Sequence, residues 1–373
     1  MVVMMIFLLA AYGAPAQNEL PCDPQATRET VNLYKHLLRL REKGFLFGHQ
    51  DDLAYGVHWR YQKDSSDVKG VTGDYPGLYG WDLSGLESDN PNDIDGVPFK
   101  KTREFIREGY ERGAVITLSW HAPSPLGAVK RAWDTTHGTV ASIIPGGANH
   151  AMYKEWLDKL AVFIASLKGS RGEAIPVLFR PFHEFTGNWF WWCQNTCSAF
   201  EFKTLWRFTI YYLREEKKLH NLLVVYNTSG GFETREQFMA RYPGDDMADV
   251  LSFDTYQYND PTTTDWFEKN TNRELGVVAA IAREKSKLFA LAETGYEAIP
   301  YASWWTGKLM KAIGDYKISY VLVWRNAGWQ PNEKKMHYYV PFKGDVSEAD
   351  FVRFYQLDRT LFEKEAAEAK LYE

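Results

Sequence analysis

Short apolar segments alternate with longer segments of helical periodicity along nearly the whole chain, and Gly, Pro or Asn separates them. This alternation predicts βα units and a parallel sheet, because a helix must return the chain to the edge where the next parallel strand begins. The predicted strands are residues 45–50, 78–83, 114–120, 176–182, 222–227, 250–256, 288–293 and 320–325. Eight βα units predict a single-domain α/β fold, a (β/α)8 TIM barrel, with functional side chains at the carboxyl ends of the strands.

An open, doubly wound sheet is the alternative for a chain with this pattern. Such a sheet usually carries a glycine-rich phosphate turn after an early strand. The residues that follow the first predicted strand are GHQDDLAYG (48–56), which contain neither G-x-G-x-x-G nor a P-loop pattern. The barrel is therefore the favoured architecture.

Two predicted helices begin with a capping box, in which a Ser or Thr hydroxyl and a Glu carboxylate three residues later bind each other's backbone N–H groups. The pairs are Ser198 with Glu201 and Thr271 with Glu274. We expect one helix to start at each pair.

The composition excludes several classes of protein. The 373 residues include 43 Lys and Arg against 48 Asp and Glu, a formal net charge of −5, so the chain lacks the basic excess that nucleic-acid binding requires. Hydrophobic residues make up 45% and charged residues 24%, which disfavours both disorder and a membrane-embedded class. Aromatic residues reach 16%, with 14 Trp, and this number of indole rings suits a surface that stacks flat, weakly polar ligands.

The N-terminus is predicted to be a secretory signal peptide. Residues 1–16 form an apolar run that ends in Ala14, Pro15 and Ala16, a small-residue pattern that favours cleavage before Gln17. A buried strand or a short membrane anchor is the alternative, although spanning a bilayer needs roughly 20 apolar residues. We therefore expect an exported protein, periplasmic or extracellular. Residues 17–373 would form one domain with no integral membrane segment, and a monomer is the default state.

The cysteine content is low. Cys22, Cys193 and Cys197 are too few for a disulfide-built scaffold. Cys193 and Cys197 lie four residues apart, and either a local disulfide or two free thiols fits that spacing. A zinc site would need further Cys or His at short spacing, and CQNTC (193–197) has none beside it. The sequence predicts no metal and no cofactor.

Polar and aromatic side chains gather at the predicted strand ends. They are His49, Asp51, Asp82, Trp120, His121, Arg180, His183, Glu184, Asn227, Asp254, Tyr256, Glu293, Trp324 and Arg325. Taken singly, each has a structural explanation, since Asp or Asn after a strand often caps a helix and a lone His or Trp usually packs. Taken together, they indicate a site, because polar groups at apolar strand ends are costly unless they are paired or used.

Other catalytic motifs are incomplete. His183 and Glu184 begin like the zinc motif H-E-x-x-H, but position 187 is Gly and the second histidine is missing. Ser229, in NTSGG (227–231), lacks the glycine that precedes the nucleophile in G-x-S-x-G, so a serine hydrolase is disfavoured.

Two glutamates are the strongest candidates for chemistry. Glu184 follows the fourth predicted strand within FRPFHEFTGNWFWW (179–192), and Glu293 ends the seventh within LFALAETGY (288–296). A pair of carboxyl groups across a barrel mouth suits glycoside hydrolysis, in which one acid protonates the leaving oxygen and one carboxylate attacks carbon.

Neighbouring residues support this pair. Period-two alternation along the fourth strand predicts that Arg180, Phe182 and Glu184 share one face, which would let Arg180 hold one glutamate ionised. Tyr256 could donate its hydroxyl to the same carboxylate. The negative charge of the second glutamate is expected to raise the pKa of Glu184.

The abundant tryptophans also suit a sugar ligand. A sugar ring presents a C–H face that stacks on indole, while its hydroxyls need a few placed polar groups. Trp189 and Trp324 follow the fourth and eighth predicted strands and are the expected ligand contacts.

Five motifs together resemble glycoside hydrolase family 26, a group of barrel glycosidases that includes many β-mannanases. The motifs are SWHAPSP (119–125), RPFHEFTGNWFWW (180–192), FDTYQ (253–257), LAETGY (291–296) and VWRNA (323–327), at matching strand ends. The resemblance covers roughly residues 27–365, and it implies a retaining hydrolase of β-1,4-mannosidic linkages in mannan polysaccharides or oligosaccharides.

The resemblance also implies roles for individual residues. Glu184 would be the general acid/base and Glu293 the nucleophile, with carboxyl groups about 5–5.5 Å apart. His183 and Tyr256 would support these carboxylates. The sugar subsites would be lined by His121, Trp189, Trp324 and Arg325.

Two alternatives remain at this point. A related β-glycanase that acts on xylan or mixed-linkage glucan would share the catalytic pair, because a few subsite residues decide the sugar. A non-catalytic polysaccharide-binding protein is disfavoured, since it has no need of two costly carboxylates at the mouth.

Overall fold

Eight parallel strands form a sheet that closes on itself. The computed structural model describes residues 19–127 and 131–373, so the predicted signal peptide at residues 1–16 lies outside the described residues. Neighbouring strands pair in the order of the chain, and the last pairs with the first, with Leu46 opposite Tyr320 and Phe47 opposite Val321. The predicted (β/α)8 barrel is confirmed.

The described strands are β1 (Phe45–Gln50), β2 (Tyr55–Gly56), β3 (Trp59–Arg60), β4 (Leu78–Asp82), β5 (Val115–Ser119), β6 (Val177–Arg180), β7 (Leu222–Ser229), β8 (Val250–Asp254), β9 (Leu288–Thr294), β10 (Tyr320–Val323), β11 (Gly328–Gln330), β12 (Lys335–His337) and β13 (Thr360–Leu361). The barrel consists of β1 and β4 to β10, and each of these strands begins and ends within two residues of its predicted bounds. Two short hairpins, β2–β3 and β11–β12, lie outside it, and β13 pairs with the start of β1.

The described α-helices are α1 (Arg28–Leu40), α2 (Asp67–Thr72), α3 (Phe99–Glu111), α4 (Thr139–Ile143), α5 (His150–Ala165), α6 (Ala199–Tyr211), α7 (Arg235–Met239), α8 (Trp266–Lys285), α9 (Met310–Ile313), α10 (Glu348–Tyr355) and α11 (Glu363–Glu368). At least one helix follows every barrel strand. Within residues 19–127 and 131–373, no helix combines the length and the apolar composition that crossing a bilayer requires.

One of the two predicted capping boxes is present. Ser198 and Glu201 cap α6 reciprocally. The prediction at Thr271 was wrong, because α8 already begins at Trp266 and Thr271 lies inside the helix. Glu274 instead accepts hydrogen bonds from the backbone N–H of Gly231 and from the Asn270 side chain. Tertiary contacts therefore explain a pattern that looked like a local cap.

The cysteines are free thiols in the structure. The Cys193 sulfur lies 3.4 Å from the carbonyl oxygen of Glu184, and the Cys197 sulfur lies 3.5 Å from that of Trp192. Of the two alternatives that the spacing allowed, the structure has the pair of buried thiols, each directed at the backbone of the segment after β6.

An aromatic layer joins the outer face of the barrel to the helices. The ring of Phe47 on β1 lies 5.3 Å from that of Phe351, 4.9 Å from that of Phe362 and 6.0 Å from that of Trp305. All four side chains are buried. Because large aromatic rings bury much apolar area, this cluster contributes strongly to holding α10 against the barrel.

Replacing Phe47 with alanine should lower the free energy of unfolding by about 3–5 kcal/mol, because it leaves a cavity among rings that cannot all move inward. Urea unfolding measures the change. Phe200→Ala is the matched control, since Phe200 is 76% exposed, and surface substitutions usually change stability by less than about 0.5 kcal/mol. Equal losses in the two variants would contradict the role given to the cluster.

Candidate active site

A buried guanidinium lies at the centre of the barrel mouth. Arg180 ends β6 and donates through Nη1 to Asp254 Oδ2 at 3.0 Å and through Nη2 to Glu293 Oε1. Asp254 ends β8, and Glu293 lies near the end of β9. A buried charge is stable only when it is paired and hydrogen-bonded, so these contacts determine where all three side chains lie.

Further hydrogen bonds orient the two carboxylates. The Tyr256 hydroxyl donates to Glu293 Oε2 at 2.8 Å. The Asn227 amide donates to Asp254 Oδ2 at 2.7 Å and accepts a hydrogen bond from Ser252 at 2.6 Å. Both oxygens of Glu293 therefore have donors, as the sequence suggested for Arg180 and Tyr256, and the network extends from β6 to β9.

Glu184 stands on a tight turn after β6. Phe182 and Glu184 both have positive φ, 50° and 54°, a conformation that non-glycine residues adopt rarely. The backbone N–H of Glu184 donates to the Asn227 carbonyl at 3.0 Å, and Trp189 Nε1 donates to the Glu184 carboxylate at 2.7 Å. These two contacts direct the carboxyl group into the mouth.

The predicted shared face of Arg180, Phe182 and Glu184 was wrong for Phe182. The strand ends at Arg180, and the turn directs the Phe182 ring outward, where it packs 6.1 Å from Trp192 and 6.3 Å from Phe202 of α6. Strict alternation fails because the backbone leaves the extended conformation after Arg180.

The pKa of Glu184 is raised to about 7. Withdrawal of its carboxyl group from water is the larger cause, and the charge of Glu293 is the second. The direction agrees with the sequence-based expectation, which rested on the neighbouring charge alone. Near neutral pH, Glu184 can therefore carry a proton while facing a second carboxyl group.

Three carboxyl groups approach each other closely. One oxygen each of Glu184, Asp254 and Glu293 lie within 4.8 Å of one another. Oxygen ligands in such a group suit a hard cation. Here the guanidinium of Arg180 already donates to two of the three, so a side chain supplies positive charge at this position.

A histidine pair lines the opposite wall. His121 Nδ1 lies 2.7 Å from Asp82 Oδ2, and its Nε2 lies 3.1 Å from His183 Nε2. Although burial opposes it, the Asp82 carboxylate raises the pKa of His121. Burial and the charges of His121 and Arg180 lower the pKa of His183. These opposite shifts favour His121 as the donor and His183 as the acceptor in the contact between the rings.

Seven of the eight predicted site residues line one cavity of about 210 Å³. They are His121, His183, Glu184, Trp189, Tyr256, Glu293 and Trp324. Arg325, the eighth, lies in an adjoining cavity of about 540 Å³, where it pairs with Asp95 at 3.1 Å. A third cavity, of about 430 Å³, adjoins on the other side and is lined in part by Glu184, Trp189 and Tyr256. The cavities share lining residues and form one cleft across the mouth.

Several aromatic residues of the cleft carry no signal in the sequence. Trp133 is 50% exposed and stacks on His121, with ring centroids 5.4 Å apart and planes 15° apart. Tyr258 and Tyr339 line the same central cavity. All three lie on loops beyond the strand ends, where neither periodicity nor a motif marked them.

A comparison with known families agrees with this geometry. Residues 22–340 match the sequence model of Glycosyl hydrolase family 26. The chain belongs to glycosyl hydrolase family 26. The resemblance inferred from the five motifs is thus confirmed.

Two named mannan endo-1,4-beta-mannosidases are similar to this protein over most of its chain. A mannan endo-1,4-beta-mannosidase from Bifidobacterium adolescentis is 32% identical over 91% of this chain and 35% of its own length. Mannan endo-1,4-beta-mannosidase A and B from Caldalkalibacillus mannanilyticus is 26% identical over 87% of this chain and 60% of its own. This chain thus spans about a third and three-fifths of the lengths of these two relatives.

A solved structure matches more completely. A GH26 beta-mannanase from Bacteroides ovatus is 44% identical, with a TM-score of 0.87, over 93% of this chain and 98% of that one. The barrel described here is therefore the family 26 fold along nearly its whole length.

Replacing Asp82 with asparagine should lower the pKa of His121, because a neutral amide no longer stabilises the imidazolium. NMR titration of the imidazole nitrogens measures this pKa. Asp52→Asn is the matched control, since it changes a similar carboxylate–imidazole contact of 2.6 Å at His49 on β1. The pKa of His121 should not change in Asp52→Asn. An equal decrease of the His121 pKa in both variants, or no decrease in Asp82→Asn, would contradict the role of Asp82 in raising it.

Proposed function

We propose that this protein is a retaining endo-β-1,4-mannanase that hydrolyses mannan-type polysaccharides or manno-oligosaccharides by double displacement. The observation that carries the proposal is the approach of the Glu184 and Glu293 carboxyl oxygens to within 4.8 Å. This spacing suits direct attack by a carboxylate, whereas inverting enzymes need about 6.5–9.5 Å to admit water. Family membership and the mannanases named above support the substrate.

The reaction proceeds in two steps. Glu293 attacks the anomeric carbon while protonated Glu184 gives its proton to the departing oxygen, which leaves a covalent glycosyl–enzyme. Glu184, now a carboxylate, then removes a proton from water, and that water displaces Glu293 from the sugar. The raised pKa of Glu184, about 7, suits the first step, because the acid must be protonated when the bond breaks.

The remaining predicted residues hold the reacting groups or the sugar. Tyr256 and Arg180 direct the Glu293 oxygens. His121 and His183 line the opposite wall of the central cavity, where their contacts with Asp82 and with each other fix the shape of the pocket for the attacked sugar. Trp189 and Trp324 stack on sugar rings, and Arg325 binds a sugar farther from the cleavage point. No cofactor is required.

The shape of the cleft supports internal cleavage of a chain. The central cavity opens into further cavities of about 540 Å³ and 430 Å³ on its two sides. Sugars can therefore extend in both directions from the bond that breaks.

We further propose that residues 1–16 are a signal peptide, that residues 17–373 form the catalytic domain, and that the protein works as a monomer in the periplasm or outside the cell. The apolar run before Gln17 supports export. A polysaccharide substrate is consistent with this location.

Removing the two glutamates should have different effects. Glu293→Ala should abolish turnover of every substrate, because no covalent intermediate forms. Glu184→Ala should lower kcat on mannan by about 10²–10⁴-fold. The first step on 2,4-dinitrophenyl β-mannobioside should be largely retained, since that leaving group needs no proton. Chromatography of the products measures turnover of mannan. The burst of released dinitrophenolate measures the first step on the aryl mannobioside.

The matched control is Glu216→Gln, at an exposed glutamate beyond the end of α6. Xylan and mixed-linkage glucan should be assayed beside mannan. If the enzyme cleaved xylan or mixed-linkage glucan but not mannan, the proposed mechanism would stand and the proposed substrate would be wrong. Normal turnover by Glu293→Ala, or binding of mannan without cleavage by the wild type, would contradict the proposal.

The pH dependence of kcat/KM should report the proton on Glu184. Activity should fall as the pH rises through about 7, because the acid is lost. The Trp189 N–H stabilises ionised Glu184, so Trp189→Phe should raise the pKa and move the alkaline limb to higher pH. Trp324→Phe is the control, and the alkaline limb of its kcat/KM profile should stay at the wild-type pH. A limb that moves to lower pH in Trp189→Phe would contradict this account.

A further inference from the structure

We propose that the leaving-group side of the cleft continues into an outer subsite at Trp266, which binds additional sugar units of a long β-mannan chain. The inference rests on the proposed function and extends it. It assigns a binding role to the first turn of α8, where no strand end or motif predicted one.

The catalytic pair sets the direction of the chain. Glu184 lines the cavity on the Trp266 side as well as the central cavity, whereas Glu293 lines the central cavity and not that flanking one. The acid must reach the oxygen that departs with the leaving sugar, and the nucleophile must reach the carbon on the other side of the bond. The flanking cavity with Glu184 and Trp266 therefore holds the leaving-group sugars.

An outer cavity continues this path. It has a volume of about 600 Å³ and shares Gly231 and Trp266 with the flanking cavity. Trp266 is 43% exposed, so its indole offers an apolar face at the junction. Lys269 and Arg273 lie farther along the same helix and line the outer cavity. An aromatic face beside polar groups is the combination that a sugar ring with its hydroxyls requires.

The floor of the outer cavity is held in place from below. Glu274 is fully buried and accepts hydrogen bonds from the Gly231 N–H at 2.5 Å and from Asn270 Nδ2 at 2.9 Å. Gly231 and Asn270 both line the cavity. Arg273 donates to Glu233 at 3.2 Å across it. Glu274 is therefore a positioning residue that joins the loop after β7 to α8.

The test compares substrates of different length. Mannohexaose extends several sugars past the cleavage point, whereas 4-nitrophenyl β-mannobioside places one small ring there. Trp266→Ala should lower kcat/KM for mannohexaose about tenfold, mainly through KM, which corresponds to about 1.4 kcal/mol. It should leave kcat/KM for the aryl mannobioside unchanged. Trp266→Phe should restore most of the activity on mannohexaose, because a ring again covers the junction.

Trp329→Ala is the matched control, since Trp329 is 57% exposed on β11 and lines none of the cavities of the cleft. Trp329→Ala should leave kcat/KM unchanged for both mannohexaose and the aryl mannobioside. An unchanged kcat/KM of Trp266→Ala on mannohexaose would overturn the subsite. An equal loss on both substrates would also overturn it, because Trp266 would then act on the catalytic centre or the fold. If wild-type protein cleaved neither substrate, the proposed function itself would fail, and this result is distinct from the other two.

Discussion

One buried guanidinium organises the mouth of this barrel. Arg180 is enclosed by the protein, and an enclosed charge persists only when carboxylates and hydrogen bonds replace its water. Its two partners come from different strands, Asp254 from β8 and Glu293 from β9. The ion pairs thus tie together the ends of three strands. Loss of one partner would leave an uncompensated charge inside the barrel, so the surrounding side chains are arranged around this group.

The same arrangement gives two glutamates different chemistry. Glu293 receives hydrogen bonds from Arg180 and Tyr256, which favours a fixed carboxylate directed at the cleft. Glu184 lies on a strained turn and accepts a hydrogen bond from Trp189. Burial and the charge of Glu293 raise the pKa of Glu184 to about 7. Enzymes obtain an acid and a nucleophile from one residue type by placing the two side chains in surroundings that move their pKa values apart. The cleft on either side then supplies aromatic faces to a chain of sugars.

Much of this could be predicted from the sequence, because strands in a parallel barrel present their carboxyl ends on one side. Arg180, Glu184 and Glu293 were identifiable as polar residues that end apolar runs. The direction of the Phe182 side chain could not be predicted, because the positive φ of the turn breaks the alternation of side chains along the strand. Trp133 and Trp266 were also unmarked, since loops and the first turn of α8 bring them to the cleft through tertiary packing.

The most direct measurement is to trap the covalent intermediate. An activated 2-deoxy-2-fluoro mannobioside slows both steps, but its good leaving group lets the first proceed, so the glycosyl–enzyme accumulates. Mass spectrometry of the digested protein locates the added sugar. The account predicts one label per chain, on Glu293 within LAETGY (291–296). A label on another residue would contradict it, as would the absence of any label from a protein that releases products of inverted anomeric configuration.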